Sequence, residues 1–334
     1  MKQKNNLRMV FSIVFAVLAY LSGMDHLFYF CIFAYAAIWL IPLGRKRSVI
    51  AGKALLSILL FVLAAKVQIN RTDKETSILT VSYLDVGQGD STLIELPDGE
   101  TVLIDGGTYE YGSTVVNELK LRGINTVDYM IATHPHADHI GGLPAVIDVV
   151  NVKAFYEPDT GEAPLPENAG IGILQKKLQA RGIPVHVITA GSIITEGDSW
   201  CLEVLSPSEG ASFEDLNDYS LILRLTYGST AFLFTADAGY TAELEILNED
   251  ISCDVLKVGH HGSFGSTCTA FLEAADPNIA VISVGKDNEH GLPNDYVLER
   301  LEEKGITVLR TDESGTVRIE SDGTSVQAVS RQQP

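Results

Sequence analysis

The sequence predicts an α/β protein, two β-rich halves stacked as a four-layer αββα sandwich and carried on an N-terminal helical membrane anchor. Three observations lead there. The first seventy residues hold three long apolar runs. The remainder alternates short strand-like runs with helical segments in two successive rounds. Charge is divided sharply between these two parts.

The apolar runs span Met9 to Leu21, Leu27 to Leu43 and Val49 to Val67, with Lys53 and Lys66 near the ends of the third. Each is long enough, or nearly so, to cross a hydrocarbon core as a helix, and lysines at helix ends can snorkel to the headgroups. A cleaved signal peptide would be one such run, not three. Residues 1–70 therefore read as an anchor of three transmembrane helices. Lys2, Lys4 and Arg8 precede the first run, and Arg45, Lys46 and Arg47 precede the third. The link SGMDH carries only Asp25 and His26. Basic loops stay cytoplasmic, so the third span delivers the rest of the chain to the outside: a cell-membrane protein with an extracellular C-terminal domain.

A polar linker, residues 71–77, leads into a domain over 78–334. Its first round runs through the strands ILTVSYL, DSTLIEL and TVLIDGG, with the hairpin turn PDG at 97–99. A helix over 113–122 comes next, with Ser113 as N-cap and Gly123 past its end. Then come the strand VDYMIAT, a helix over LPAVIDVV, the strand KAFYEP, a helix over GILQKKLQARG, and the strands PVHVITA and WCLEVLSP. The second round holds SLILRLTYG and STAFLFTAD, a helix over TAELEILNE, the strands DVLKV and IAVISVGK, a helix over NDYVLERLEEKG, and two closing strands, ITVLRTD and SGTVRIES. Two β-rich halves, each with its own helices, bury their apolar faces best as a four-layer sandwich.

Charge constrains the partners. Residues 1–70 hold eight Lys or Arg against one acid, a net +7, so of the total −19 the remainder carries −26. Such a globule repels long polyanions at a distance. Cys201, Cys253 and Cys268 are too far apart to form a metal-binding spacing.

The chemistry concentrates in THPHADHIGGL, residues 133–143, which places three of the eight histidines within six positions. His134 and His136 are two apart at a strand end, so both imidazoles face one side and can reach one ion. Asp138 and His139 continue into the Gly-Gly turn toward a second. Histidine and carboxylate ligands suit zinc, manganese or iron, and a packed core has no use for four such groups in six positions. A second ion needs a bridging carboxylate, supplied by Asp237 at the end of AFLFTAD, and a further histidine, His260 or His261 of GHHGS. His186 reads as a core residue, and His26 and His290 as residues without a site role.

These features, with YLDVGQGDSTLIELPDGETVLIDGG, NDYSLILRLTYG, FLFTADA, LKVGHHGS and ISVGK, resemble the metallo-β-lactamase superfamily. Within it they resemble the extracellular domain of the ComEC competence-protein family, over roughly residues 78 to 320. Three short spans leave no room for that family's DNA channel, so DNA uptake is not implied. The resemblance implies two divalent ions, zinc or manganese. His134 and His136 would hold one, Asp138 and His139 the other, with Asp237 bridging and His260 completing the second. His261 would face substrate as a proton donor, with Asp138 as the other catalytic group. The place of the superfamily's usual extra histidine is taken by Asp218, a further candidate ligand.

Two ions ~3.5–4 Å apart lower the pKa of a shared water toward neutrality, giving a bridging hydroxide nucleophile. Asp105 is expected to orient a metal-bound imidazole. Asp85, Gln88 and Asp90, on a glycine-rich loop, are expected to do the same or to touch substrate. Lys257, Lys286 and Ser263 are candidate phosphate contacts. Three functions are compatible with these residues: a phosphodiesterase or nuclease acting on DNA or another phosphodiester; a cell-surface hydrolase of a small ester, lactone or phosphocholine-type diester; or a catalytically silent binding module. No protein partner is evident.

Overall fold

Strand alternation decides the layers. In Thr230–Phe234 (β10), Phe232 and Phe234 face one way and Leu233 the other, and all three are fully or almost fully buried. A strand buried on both faces must be covered on both sides. The same demand recurs along the chain, and the layered architecture answers it. The structure, a computed structural model, describes residues 78–161, 163–166 and 169–329. The anchor and linker expected over 1–77 lie outside the described residues. Among the described residues no helix is long and apolar enough to cross a membrane.

Fifteen strands are described, and they form two sheets. The first runs in the order β15-β14-β1-β2-β3-β4-β5-β6. Its members are Leu79–Tyr83 (β1), Thr92–Glu95 (β2), Thr101–Ile104 (β3), Thr126–Ile131 (β4), Asn151–Pro158 (β5), Val185–Ile188 (β6), Val317–Ser321 (β14) and Val326–Val329 (β15). The second runs β13-β12-β11-β10-β9-β8-β7. It contains Ile193–Glu196 (β7), Trp200–Ser206 (β8), Ile222–Tyr227 (β9), β10, Val255–Lys257 (β11), Ile279–Ile282 (β12) and Thr307–Arg310 (β13).

One apolar cluster fills the space between the sheets, joining Val81, Tyr83, Ile94 and Val102 to Leu202, Leu223, Phe232 and Phe234. A second lies on the outer face of the first sheet. There Leu103, Met130 and Phe155 meet Val115 and Leu119 of Gly112–Leu121 (α1), Val146 of Leu143–Val149 (α3) and Leu178 of Ala169–Arg181 (α4). A one-turn helix, Ala137–Ile140 (α2), precedes α3. A third cluster covers the outer face of the second sheet. Leu233, Leu256 and Ile282 pack there on Ala242 of Tyr240–Glu245 (α5), Phe271 of Thr269–Ala275 (α6) and Leu301 of Asp295–Glu303 (α7). The expected αββα order is what the described residues form.

Three local expectations are corrected. Ser113 lies inside the first turn of α1, not at its cap; the cap is Tyr111, with no side-chain hydrogen bond. A 3-10 turn over Tyr109–Tyr111 brings the chain in already helical, so no capping side chain is called for. His186 is exposed, because β6 is an edge strand, and its ring stacks on Tyr156 at 4.9 Å. The edge strands β7 and β15 were not expected, being short and only partly buried.

Strand direction positions the site. β3, β4, β5 and β6 are mutually parallel, as are β10, β11, β12 and β13. Ligand sites form beyond the carboxyl ends of parallel strands, and there the segments after β3, β4, β10, β11 and β12 all emerge. The loop after β1 joins them, because β1 and β3 are each antiparallel to β2. Segment 263–268 braces this end from below. Ser266 Oγ donates to the Ala238 carbonyl (2.9 Å), and the Gly259 N–H donates to Thr267 Oγ1 (3.2 Å). Glu243 of α5 accepts from the N–H groups of Thr267 and Cys268.

Burial pushes Glu243 up to about 7 from an ordinary 4.5, against those two hydrogen bonds and Arg300. The folded state thus binds this proton more tightly than the unfolded chain. Its contribution is complete below about pH 4.5 and is lost as pH rises through about 7. Glu243→Gln should remove about 3 kcal/mol of pH dependence between those limits, read as flattened unfolding midpoints in denaturant titrations from pH 4.5 to 8.

Candidate metal centre

The motif after β4 enters the site through Thr133, whose carbonyl accepts the N–H of Leu221 at the start of the second sheet's β9 segment (2.9 Å). His134 is fully buried, and its Nε2 lies 3.0 Å from His136 Nδ1 and 3.9 Å from Asp237 Oδ2. Asp138 and His139 sit on α2. His139 Nε2 is 3.3 Å from Asp237 Oδ2 and 3.9 Å from Asp138 Oδ2. From the second sheet come Asp237, two residues beyond Thr235, and the pair His260–His261 after β11. Asp138, His139, Asp237 and His261 each present a ligand atom within 4.8 Å of the others.

Close backbone contact makes this convergence possible. The N–H of Asp90 donates to the Asp138 carbonyl (3.1 Å), and a Cβ on Gly89 would stand 2.4 Å from that same oxygen. A Cβ on Gly142 would meet the Gly106 carbonyl at 2.0 Å, so this residue of the motif's Gly-Gly pair lets α3 settle against the β3 turn.

Asp105 holds the motif from behind. Its Oδ2 accepts from His139 Nδ1 (2.8 Å) and from the Thr133 hydroxyl (2.6 Å), and its Oδ1 from the Thr133 N–H (2.9 Å). With Nδ1–H committed to Asp105, Nε2 of His139 is the nitrogen turned to the cluster. Thr133 escaped the sequence reading; its only signal was its place directly before the first histidine.

The histidine pair is placed in the reverse of the expected order. His261 is buried, donates Nδ1–H to the Ser283 carbonyl (2.9 Å), and points Nε2 at Asp138 (3.3 Å) and Asp237 (3.6 Å). The side chain of His260 is 34% exposed at the rim, with Nε2 3.6 Å from Asp237 Oδ2. Both residues have positive φ, 48° and 54°, and this tight turn carries the second imidazole inward.

Other expected residues are engaged with partners of their own or line a separate hollow. The ammonium of Lys257 is buried against Asp90 (2.7 Å), so it is no phosphate contact. Lys286 is exposed and lines a separate hollow of about 570 Å³ with Asn288 and Arg310. Asp218 Oδ1 accepts the N–H of Gly239 ahead of α5 (2.9 Å). Ser263 Oγ accepts the N–H of Gly265 (3.4 Å), and Asp85 Oδ1 that of Gly87 (3.3 Å), both local turn bonds. Gln88 accepts the N–H of Gly285 (3.1 Å), joining the β1 and β12 loops.

Burial opposes every charge here, yet the carboxylates prevail at two imidazoles. Asp237, Asp105 and Asp138 hold His139 well above the usual histidine range, and Asp237, Asp90 and Asp138 push His261 up to about 10. Desolvation and the neighbouring His139 hold His134 well below that range. Asp138 and Asp237, although buried, stay below ordinary carboxylate values because these imidazoles face them. Asp105 is raised by burial.

The donor set fits divalent ions. His139 Nε2 and Asp237 Oδ1 are buried atoms without a hydrogen-bond partner, and such atoms in native proteins are almost always satisfied. Imidazole nitrogens and carboxylate oxygens around them are the ligands zinc and manganese take.

This constellation, at the strand ends of an αββα sandwich, is that of a metallo-hydrolase, and the chain belongs to the metallo-beta-lactamase superfamily, whose family model matches residues 84–286. Among its relatives are competence proteins. It is 34% identical over 260 residues to ComE operon protein 3 of Bacillus subtilis (strain 168), covering 71% of this chain and 32% of that protein. It is 30% identical over 243 residues to competence protein ComA of Neisseria gonorrhoeae, covering 72% and 32%. It is also 30% identical over 250 residues to recombination protein 2 of Haemophilus influenzae, covering 72% and 28%. The chain thus spans about a third of the length of these relatives.

Asp105→Asn keeps a residue that tolerates the positive φ of 58° at this position while removing the charge behind His139. Loss of such an orienting carboxylate should weaken metal binding by about 10–100-fold, measured by competition with a chromogenic chelator.

Proposed function

We propose that this protein is a membrane-anchored, dinuclear metal-dependent hydrolase acting on phosphodiesters, with nuclease-like activity. The observation that carries this reading is the arrangement around Asp237. Its Oδ2 lies 3.9 Å from His134 Nε2 and 3.3 Å from His139 Nε2, and its Oδ1 3.6 Å from His261 Nε2, so one carboxylate touches imidazoles of both expected ligand groups, as a bridging ligand would. In this reading His134, His136 and Asp237 hold one ion, and Asp138, His139, His261 and Asp237 the other. When bound, such ions supply Lewis acidity toward a phosphoryl oxygen and steady a departing alkoxide.

The chain's own residues perform the remaining work. Asp105 fixes the tautomer of His139. The Ser283 carbonyl fixes that of His261. His260, at the rim beside Asp237, is placed to hand a proton to the leaving oxygen. The kinship with competence proteins favours a phosphodiester over a carboxylic ester.

A second reading, hydrolysis of a small diester or ester at the cell surface, is favoured by charge. A groove of about 810 Å³ beside His136 is lined by Phe213, Glu214, Asp215 and Tyr219 among others, and its charged side chains other than His136 are acidic. That lining repels a run of phosphates and admits a compact substrate.

With Mn²⁺ or Zn²⁺, the protein should hydrolyse bis(p-nitrophenyl) phosphate, and Asp237→Ala or exhaustive chelation should bring the rate to background. If neither this substrate nor single-stranded DNA is cut, while small carboxylic esters are, the second reading replaces the first. Placement of the domain outside the cell is tested by protease shaving: intact cells should release a metal-binding fragment, whereas full protection would put the domain inside.

A further inference from the structure

Lys257, the last residue of β11, is 2% exposed. Lysine is almost never so buried without a partner. Its ammonium lies 2.7 Å from Asp90 Oδ2 and donates to the Val258 carbonyl at 3.0 Å, just before the turn that carries His260 and His261. The other oxygen of Asp90, Oδ1, makes no hydrogen bond and faces His261 Nδ1 at 3.4 Å, beside the Ser283 carbonyl. The opposite edge of that ring reaches Asp138 and Asp237. Lys257, Asp90 and His261 thus form a line that ends at the metal cluster.

Asp90 is a hazard as well as a support. Together with Asp105 and His139 it forms a second group close enough to hold an ion, and this group shares His139 with the first. Its carboxylates are already occupied by other partners. His139 Nδ1 and Thr133 are on Asp105, and Lys257 is on Asp90. The cluster of Asp138 and Asp237 has no ammonium or guanidinium on it; imidazoles, themselves able to ligate an ion, are its only basic neighbours among the described residues.

Resting on the metal-site reading above, we propose that Lys257 is a positioning residue that reserves Asp90 for His261. The ammonium neutralises Asp90 inside the fold, so this carboxylate aligns the imidazole rather than ligating an ion. Divalent cations are thereby directed to Asp138, His139, Asp237 and His261.

The test uses the full-length, detergent-solubilised, metal-stripped protein, titrated with Co²⁺ well below the melting temperature of each variant. Lys257→Met should weaken Co²⁺ binding by about tenfold or more and alter the visible Co²⁺ bands, because Asp90 enters the ligand set. The neutral pair, Asp90→Asn with Lys257→Met, should return both the affinity, to within about threefold, and the wild-type bands. A Lys257→Met protein that melts earlier but binds and absorbs as wild type makes the lysine merely structural and overturns the proposal. So does a double variant no better than the single. If Lys257→Met does not fold, the double variant decides alone: wild-type bands uphold the proposal, and altered bands or a tenfold loss overturn it. Wild-type protein that binds no Co²⁺ defeats the metal-site reading itself, and this proposal with it.

Discussion

A carboxylate buried where two sheets meet is the constraint on which the rest of this structure depends. Asp237 is 2% exposed at the end of β10. An isolated buried carboxylate is strongly unfavourable, so the fold must bring compensating groups to it. Four imidazoles do this, from His134, His139, His260 and His261, all within 3.9 Å. Two come from the first sheet and two from the second. The contact between sheets at this end is therefore an electrostatic one, laid over the apolar packing of Tyr83, Phe232 and Phe234 beneath it.

Holding those imidazoles at one point demands unusual backbone. Asp105, Ala236, His260 and His261 all have positive φ although none is glycine. Such conformations are unfavourable by of order 1–3 kcal/mol each and persist where surrounding contacts over-determine them. Here the contacts are visible. His260 N–H donates to the Ala236 carbonyl (2.8 Å), Asp105 is clasped by Thr133, and segment 263–268 is tied to Ala238, Gly259 and Glu243. Strain at the site is thus offset by hydrogen bonds just outside it.

Charge is organised in shells. At the centre, Asp138 and Asp237 face imidazoles. Behind them, Asp105 and Asp90 are neutralised internally by His139 and Lys257. Outside lies an acidic surface, including the groove beside His136. Long polyanions meet repulsion until they reach the centre, where bound cations would reverse its sign.

The sequence by itself determined much of this. Period-two runs such as STAFLFTAD and VDYMIAT fix strands and their buried faces, and HxHxDH marks a set of groups able to hold a metal, because both are local patterns whose meaning survives without neighbours. The sequence also pointed to Asp105 and Asp237, each closing a strand. What it left open depends on which surface a residue meets. Lys257 reads as a candidate phosphate contact until the β1 loop brings Asp90 against it. His186 reads as core until β6 proves to be an edge. Which of His260 and His261 turns inward was settled by two positive φ angles and by the Ser283 carbonyl, supplied from just past the end of β12. Thr133 and Ser283 lie within THPHADHIGGL and ISVGK without the chemistry of a ligand, and Glu243 lies in an ordinary helix; their roles arise from distances that only the packed sheets create.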